Sequence, residues 1–401
     1  MSIIFKTEIT AMSSDGCGVG RVDGKVVFVP YTAIGDYIEA VAVKTKKSFI
    51  HGELLKIITE SPDRVSVDCE YFNSNEDGLT PRADRCGGCD FRHISYEAEL
   101  KIKAKFIKDA FTKLGKLEPE FLPIIPSRDI NFYRNNVQFQ VGKDEKENLI
   151  YGFYAPKSKV VVPHKNCKLY PAEFTDITEK ALEFFRGQKI PRQICVRKGH
   201  YSGEINAVAD RKITLIGENE IKDTICGIKV IISPQSFYQV NTPAAEELYG
   251  VIKKFAAPKD KTILDLYCGT GTIGLSLADE AKEIIGIECV EAAVKNAVKN
   301  AEINKIDNAR FICADASELP EKTAPDLVIL DPARRGCDSL VLEKVANLKP
   351  ERIIMVSCEP ATAARDCAML EAFGYTTVRV QGVDLFPRTR HVECVAELII
   401  P

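Results

Sequence analysis

One cysteine of the chain stands where a protein could make a thiolate nucleophile. The apolar run Ile353–Val356 predicts a buried strand, and Ser357 and Cys358 follow it just before a helix that begins near Ala361. The positive end of a helix dipole favours an ionised thiol, so we expect Cys358 to ionise more readily than an ordinary cysteine. A buried structural cysteine is the commoner case, and only a reactive site nearby would outweigh it.

A glycine-rich turn lies between an earlier strand and its helix, in the run Ile263–Gly274 (ILDLYCGTGTIG). Gly269 and Gly271 would let the backbone approach a ligand at the helix N-terminus. The same string also fits a dinucleotide-binding fingerprint. Asp265 precedes the glycines, however, and a carboxylate there would repel a pyrophosphate and attract a cation. S-adenosylmethionine, which carries a sulfonium and an ammonium group, suits this arrangement better.

Acidic residues end the next three predicted strands: Glu288, Asp315 and Asp331. Strands alternate with helices throughout 231–401, which predicts a mostly parallel, doubly wound sheet whose strand ends line one crevice. Glu288 could accept hydrogen bonds from ribose hydroxyls, and Asp315 could accept one from an adenine amino group. Capping of a helix is the alternative for each acid. The strand before Cys358 ends at the same edge, which favours a reactive role for that cysteine.

Two residues near the C-terminus, in the segment DLFPRTRHVE (384–393), could move a proton. Glu393 is one candidate base, and His391 is the other because the pKa of histidine is near neutrality. A thiolate that adds to carbon 6 of a uracil makes carbon 5 nucleophilic enough to take a methyl group. A base must then remove the carbon-5 proton, and this segment offers one.

The chain contains fourteen cysteines, four of which could form a group. Cys86 and Cys89 enclose two glycines, Cys69 lies upstream and Cys167 lies far downstream. In a reducing compartment such cysteines indicate a metal site or catalysis rather than disulfides. The Cys-x-x-Cys pair alone is also consistent with a zinc knuckle, a redox pair or chance.

Composition and pattern predict a multidomain α/β protein. We expect a small β-barrel in 1–60, a mixed α/β central domain with a metal-cluster loop in 61–230, and a Rossmann-like domain in 231–401. The net charge of -3 does not indicate nucleic-acid binding, so an RNA partner must be argued from local features. The sequence has no membrane-spanning run or signal peptide. We therefore expect a cytoplasmic protein that is monomeric by default.

Two segments of the last third, VSCEPATAARD (356–366) and DLFPRTRHVE (384–393), resemble the paired signature of the RNA uracil-5-methyltransferase family. The resemblance implies that Cys358 is the nucleophile and Glu393 the base in methyl transfer from S-adenosylmethionine to carbon 5 of a uridine. The segment SPQSFYQVN (233–241) is similar to the cofactor-side segment of the family. The cofactor contacts that the resemblance implies are Gln239, Tyr267, Thr272, Glu288, Asp315 and Asp331.

The N-terminal half extends the resemblance. GVGRVDGKVVFVPYTAIGD (18–36) resembles the TRAM module, a small RNA-binding β-barrel. Its candidate RNA contacts are Arg21, Lys25, Lys44, Lys46 and Lys47. HKNCKLY (164–170) resembles the segment that carries the distant cluster ligand in the family. The resemblance thus implies a four-iron, four-sulfur cluster, with zinc as the alternative, held by Cys69, Cys86, Cys89 and Cys167.

The iron–sulfur cysteines resemble the ribosomal branch of the family, so the expected substrate is 23S ribosomal RNA, with transfer RNA as the alternative. The gap between Cys69 and Cys86 is longer than is usual in the family. An RNA cytosine-5-methyltransferase would use the same thiolate chemistry, but it usually has Asp-Pro-Pro-Cys where this chain has Asp331-Pro332-Ala333-Arg334. A non-catalytic iron–sulfur RNA-binding protein would not need both Cys358 and Glu393.

Overall fold

The computed structural model describes residues 3–72, 85–319 and 324–400. The chain divides into two compact units, which consist of Met1–Phe106, Phe139–Lys168 and Phe386–Arg390, and of Ile107–Gln138, Leu169–Leu385 and His391–Pro401. Within the described residues, no helix is both long and apolar enough to cross a membrane. The domain boundaries expected near residues 60 and 230 stay predictions.

The N-terminal sheet has six strands in the order β1-β5-β6-β4-β3-β2. They are β1 (Ile4–Glu8), β2 (Ala11–Met12), β3 (Cys17–Val22), β4 (Lys25–Pro30), β5 (Tyr37–Thr45) and β6 (Phe49–Thr59). Inward-facing residues alternate along the strands, as the two-residue period of a strand requires, and form a core that includes Phe5, Val27, Val29, Ile38 and Ala40.

The predicted N-terminal barrel is a curled sheet within the described residues. The first strand meets β3 through a side chain rather than through a ladder of backbone hydrogen bonds. The Thr7 hydroxyl donates to the Arg21 carbonyl at 3.0 Å and accepts from the Arg21 amide at 3.2 Å. One threonine therefore joins two strands that a closed barrel would pair.

Helix α1 (Tyr96–Asp109) continues into a π-helical turn, Ala110–Gly115, and strand β7 (Glu120–Ile125) follows. The next strands form an antiparallel meander: β8 (Asn136–Lys143), β9 (Leu149–Tyr154) and β10 (Val161–Pro163). After α2 (Glu173–Glu183) come antiparallel β11 (Gln193–Lys198), β12 (Ile205–Ala209) and β13 (Ile213–Ile216). A hairpin of β14 (Ile221–Ile225) and β15 (Ile228–Ile232) ends this region.

The C-terminal part alternates strands with helices, as its sequence predicts. The helices are α3 (Thr242–Ala256), α4 (Thr272–Leu277), α5 (Glu291–Ile303), α6 (Ser339–Asn347) and α7 (Pro360–Ala372). The strands are β16 (Thr262–Leu266), β17 (Glu283–Glu288), β18 (Ala309–Cys313), β19 (Leu327–Leu330), β20 (Arg352–Ser357), β21 (Thr376–Val383) and β22 (Glu393–Ile399).

These strands form one eight-stranded sheet in the order β18-β17-β16-β19-β20-β22-β21-β7. The first five are parallel, and β22 is antiparallel to both of its neighbours. Every residue of Leu327–Leu330 is buried, as in a parallel sheet that is covered on both faces. The carboxyl ends of β16 to β20 therefore meet at one edge. Strand β7 pairs with β21 in parallel, which the sequence did not predict.

Candidate active site

Two antiparallel strands hold Cys358 and Glu393 next to each other. Ser357 pairs with Cys394, whose thiol donates to the Ser357 carbonyl at 3.5 Å. The ladder ends there, and Cys358 follows in a bend; continuing the register by one residue sets Cys358 opposite Glu393, whose carboxylate is close enough to act on the pKa of the Cys358 thiol. Opposed side chains project from the same face of a sheet. The expected nucleophile and the expected base are thus brought together.

The surroundings of this pair oppose its ionisation. Burial raises the pKa of Cys358 to about 12, and the carboxylates of Glu393 and Asp331 contribute in the same direction. Burial and the charge of Asp331 raise the pKa of Glu393 to about 8. The expectation that Cys358 would ionise readily is therefore wrong for the free protein, because loss of water and two nearby carboxylates outweigh the helix dipole.

Arg334 faces this pair, although it is not among the site residues predicted from the sequence. Its guanidinium hydrogen-bonds to the Cys358 thiol and partly offsets the effect of burial on the pKa of both Cys358 and Glu393. Its Nη2 atom lies 3.3 Å from Nε2 of His391, the second candidate base. Arg334 lies three residues after the strand-end acid Asp331, and this spacing could have predicted a site residue. In the sequence, Arg334 was used only as an argument against the cytosine-5-methyltransferase family.

A cavity with about 340 Å³ of empty space opens where β16 and β19 end. Its wall includes Gln239, Tyr267, Thr272 and Asp331, four of the six residues expected to contact a cofactor. Gln239 is only 6% exposed, and its Oε1 atom has no hydrogen-bond partner within the described residues. Because a buried acceptor without a donor is costly, the cavity suits a ligand that brings an N–H or O–H group.

The turn beside this cavity has a strained backbone. Tyr267 has a φ of 64° although it is not glycine, a conformation that costs about 1–2 kcal/mol. Gly271 has a φ of 79°, and a Cβ atom there would lie 2.8 Å from the ring of Phe311. Such strain persists only where the surroundings fix it, and it is common at ligand sites.

The predicted acids differ in what they contact. Asp265 is fully buried, lies outside the cavity wall and accepts a hydrogen bond from the Gly274 amide at 3.1 Å. It therefore braces the glycine turn through one carboxylate oxygen, while the other, Oδ1, has no hydrogen-bond partner within the described residues. Glu288 accepts from the Gly269 amide at 3.1 Å and is partly exposed at the end of β17. Asp315 is exposed after β18 and does not line the cavity.

A wider, open cleft of about 1300 Å³ lies at the β14–β15 turn and the ends of α3, α4 and α5. None of the expected site residues lines it. Its wall carries charged side chains of both signs, such as Lys253, Asp279 and Lys305. Size alone would select this cleft, but Asp331, whose carboxylate acts on the pKa of both Cys358 and Glu393, lines the smaller cavity instead.

The four cysteines expected to hold a metal cluster all belong to one compact unit. Burial raises the pKa of the Cys86 thiol, and the thiols of Cys89, Cys167 and Cys69 raise it further. Each of these three is therefore close enough to Cys86 to act on it electrostatically. The long gap before Cys86 includes residues 73–84, which lie outside the described part of the chain.

The two glycines of this loop are tightly placed. A Cβ atom on Gly87 would lie 2.6 Å from the Tyr154 carbonyl oxygen, and the Gly88 amide donates to the Cys86 sulfur at 3.3 Å. In the part of the chain that the structure describes, however, no group of three or more His, Cys, Asp or Glu residues is arranged to hold a metal ion. The metal-cluster loop therefore stays a prediction.

The fold as a whole resembles a solved structure. The tRNA (uracil-54, C5)-methyltransferase of Pyrococcus abyssi, in complex with S-adenosyl-L-homocysteine, is 24% identical with a TM-score of 0.76. The match covers 98% of this chain and 100% of that chain. The match shows that the two proteins share a fold, including the N-terminal curled sheet and the sheet that carries the glycine turn and the strand-end acids.

Family models and relatives identify the class of protein. The model described as tRNA (Uracil-5-)-methyltransferase matches residues 228–399, and the TRAM-domain model of tRNA (uracil(54)-C(5))-methyltransferase matches residues 5–62. An uncharacterized RNA methyltransferase of Halalkalibacterium halodurans is 34% identical over 98% of this chain and 96% of its own length. One from Clostridium tetani is also 34% identical, over 98% and 95%. The chain belongs to the S-adenosylmethionine-dependent RNA uracil-5-methyltransferase family, as its motifs predicted.

Proposed function

We propose that the protein methylates carbon 5 of a specific uridine in structured RNA, with Cys358 as nucleophile and Glu393 as base. The observation that carries this proposal lies at the end of the β20–β22 ladder, where Glu393 and Asp331 are both close enough to Cys358 to act on the pKa of its thiol. Two reactive groups on one sheet face can act on two adjacent atoms of one ring. Carbons 5 and 6 of uracil are such atoms.

In this mechanism the Cys358 thiolate adds to carbon 6, and the electrons of the 5,6 double bond form an enolate that makes carbon 5 nucleophilic. S-adenosylmethionine supplies the methyl group to carbon 5. Glu393 then removes the carbon-5 proton, the double bond re-forms and the thiolate leaves. The Arg334 guanidinium stabilises the thiolate before addition and after release.

The protonation states of Cys358 and Glu393 in the free protein define the starting point of these reaction steps. At neutral pH the Cys358 thiol and most of the Glu393 carboxyl are protonated in the free protein, given pKa values of about 12 and about 8. Positive charge bound next to Asp331 favours both ionised forms. We infer that the reactive pair is prepared only when a cationic ligand fills the adjacent cavity.

The cofactor site is proposed to include Gln239, Tyr267, Thr272 and Asp331 from the cavity wall, with Glu288 and Asp315 beyond it. The unpaired Gln239 Oε1 would accept from the ligand's ammonium group, Glu288 from the ribose hydroxyls and Asp315 from the adenine amino group.

Calorimetric titration with S-adenosylhomocysteine tests these contacts. Gln239→Met should weaken binding about tenfold because it removes one hydrogen bond to a charged group; unchanged affinity would contradict the assignment.

The RNA substrate is proposed to be 23S ribosomal RNA, on the basis of the four-cysteine set. The assay supplies purified protein with methyl-labelled S-adenosylmethionine and RNA from cells that lack this protein. Label should appear in 5-methyluridine of the ribosomal fraction. Label in 5-methyluridine of transfer RNA would show that transfer RNA is the substrate instead. Label in 5-methylcytidine would support the cytosine-5-methyltransferase alternative. No label would favour a non-catalytic RNA-binding protein.

We also propose that Cys69, Cys86, Cys89 and Cys167 hold a four-iron, four-sulfur cluster. Support comes from the donor set, because four thiolates are the usual ligands of such a cluster and three of these thiols act on Cys86. The cluster would join distant segments of one unit and take no part in methyl transfer. Anaerobically purified protein should contain iron and acid-labile sulfide, Cys86→Ser should lose both, and the buried control Cys195→Ser should keep both. Zinc without sulfide would contradict the cluster.

A further inference from the structure

The outer face of the N-terminal curled sheet carries an aromatic cluster that the core of this sheet does not use. Val27 of β4 and Ile50 of β6 are buried inward, so their neighbours Phe28, Phe49 and His51 point outward. These three rings are partly exposed. Partly exposed aromatic residues become candidates for binding when they form a contiguous group rather than lying singly.

The three rings contact one another and form one surface. Phe28 lies 6.1 Å from Phe49 and 5.5 Å from His51, and Phe49 lies 5.2 Å from His51, between ring centroids. Parallel pairing of β4 with β6 places Phe28 opposite His51. The backbone register therefore fixes the cluster, so little side-chain entropy is lost when a flat partner stacks on it.

Basic residues border this aromatic cluster on both sides. Arg21 of β3 is opposite Val26, the neighbour of Phe49 in the ladder, and Lys44 of β5 is opposite His51. Lys46 and Lys47 lie in the turn between β5 and β6, where the Lys46 amide donates to the Phe49 carbonyl, so the basic border consists of Arg21, Lys44, Lys46 and Lys47.

None of these four basic residues has an ion-pair partner among the described residues. Among the acids of these strands and turns, Glu39 is paired with Lys6, and Asp23 and Glu53 leave an excess of two positive charges, four minus two. The protein as a whole carries a net charge of -3, so this basic border is a local feature. An aromatic surface with uncompensated positive charge at its rim complements a ligand with flat rings and an anionic backbone.

We propose that Phe28, Phe49 and His51 form a stacking platform for an unpaired stretch of the RNA substrate, with phosphates next to the flanking lysines. This inference rests on the proposed function, because it takes RNA as the substrate. Bases can stack on protein rings only when their faces are exposed, which selects single-stranded RNA over a duplex. Every base has such a face, so the platform contributes affinity and placement rather than sequence choice.

The test measures binding of the full-length protein to a fluorescein-labelled oligocytidine, which contains no uracil and so separates the platform from the reaction. Stacking of one base contributes about 1–3 kcal/mol, or roughly 5- to 150-fold in affinity. We expect Phe28→Ala/Phe49→Ala to weaken binding by at least tenfold in fluorescence anisotropy. Phe28→Tyr/Phe49→Tyr keeps both rings and should retain the affinity. Tyr37→Ala, an aromatic residue 41% exposed on β5, is the matched control and should bind like wild type.

The salt dependence of binding distinguishes the contribution of the basic border from that of the aromatic cluster. For single strands each neutralised phosphate contributes about 0.7 to the slope of log affinity against log salt, so Lys44→Ala/Lys46→Ala/Lys47→Ala should lower that slope by about 2. Phe28→Ala/Phe49→Ala should leave the slope unchanged.

The outcomes also separate this proposal from the proposed function. Suppose that the wild type binds and methylates RNA, but Phe28→Ala/Phe49→Ala binds oligocytidine as tightly as the wild type does. This result would overturn the stacking platform and leave the proposed function intact. An equal loss with the tyrosine variant, or an equal loss of duplex binding, would overturn it as well. Wild type that neither binds nor methylates RNA would refute the proposed function itself.

Discussion

Replacing Glu393 with glutamine should have opposite effects on the two halves of the proposed reaction. The carboxylate of Glu393 is one cause of the high pKa of Cys358, about 12, after burial. For charges about 5 Å apart in an effective dielectric of about 20, the repulsion is about 3 kcal/mol, equivalent to about 2 pKa units. Glu393→Gln removes this repulsion but also removes the base. Thiol attack should become easier, while release of the carbon-5 proton should stop.

Two measurements follow these halves separately. The alkylation rate of Cys358 by iodoacetamide, read from its own peptide by mass spectrometry between pH 6 and 10, reports the thiolate. The variant should match wild type below about pH 8, where most of Glu393 is protonated, and react up to about a hundredfold faster above it. With RNA and S-adenosylmethionine, the variant should accumulate a covalent adduct that wild type resolves.

Glu359→Gln is the matched control, because it removes a carboxylate next to Cys358 in sequence that is not among the main causes of its raised pKa. It should leave the alkylation profile unchanged. Alkylation profiles of Glu393→Gln and wild type that coincide at every pH would refute the register argument. Normal turnover by Glu393→Gln would instead refute the base assignment and direct attention to His391.

Three further predictions concern the same site. Cys358→Ala should abolish both adduct and turnover while S-adenosylhomocysteine still binds by calorimetry; any remaining adduct would exclude Cys358 as nucleophile. Arg334→Gln removes a charge-assisted hydrogen bond of about 1.5–3 kcal/mol, so single-turnover adduct formation should slow about 10- to 100-fold and shift to higher pH; an unchanged rate would count against this contact. Burial raises the folded-state pKa of Asp331 to about 7 and of Glu393 to about 8, above their ordinary values of 3.8 and 4.5, so stability is lost as pH rises across that window. The free energy of unfolding in urea should fall between pH 5 and 8.5, and it should fall by a few kcal/mol less in Asp331→Asn/Glu393→Gln than in the wild type. Equal decreases in the two proteins would show that these carboxyl groups are not desolvated.

The strand-and-turn framework of the methyltransferase sheet could be predicted because its signals are local. Short apolar strands, helices of regular period and acids at strand ends follow from neighbouring residues, and parallel strands bring their ends together wherever the helices cross. The opposition of Cys358 and Glu393 could be predicted only through family motifs. These residues are 35 positions apart, and their pairing depends on an antiparallel register that periodicity does not specify.

The remaining features depend on burial and long-range packing. The helix dipole at Cys358 is a local signal, but the opposing loss of water and the charges of Asp331 and Glu393 come from other strands. Asp265 follows the pattern of a ligand-facing acid, yet it lies beneath the glycine turn and binds a backbone amide. The pairing of β7 with β21 joins segments more than 250 residues apart, and no local pattern indicates such a partner.

The two strands that carry the reactive groups also constrain how this protein can change. Side chains along a strand point alternately to the two faces of the sheet. One residue inserted or deleted between Arg352 and Ser357, or between Cys394 and Ile399, would therefore turn either Cys358 or Glu393 to the other face. The sulfur and the carboxyl would then lie on opposite sides of an intact sheet, in a protein that is folded but inert. Changes in pairs of residues would keep both side chains on one face, so natural or engineered length variation that keeps activity should fall in the connection before Glu393 or arrive two residues at a time.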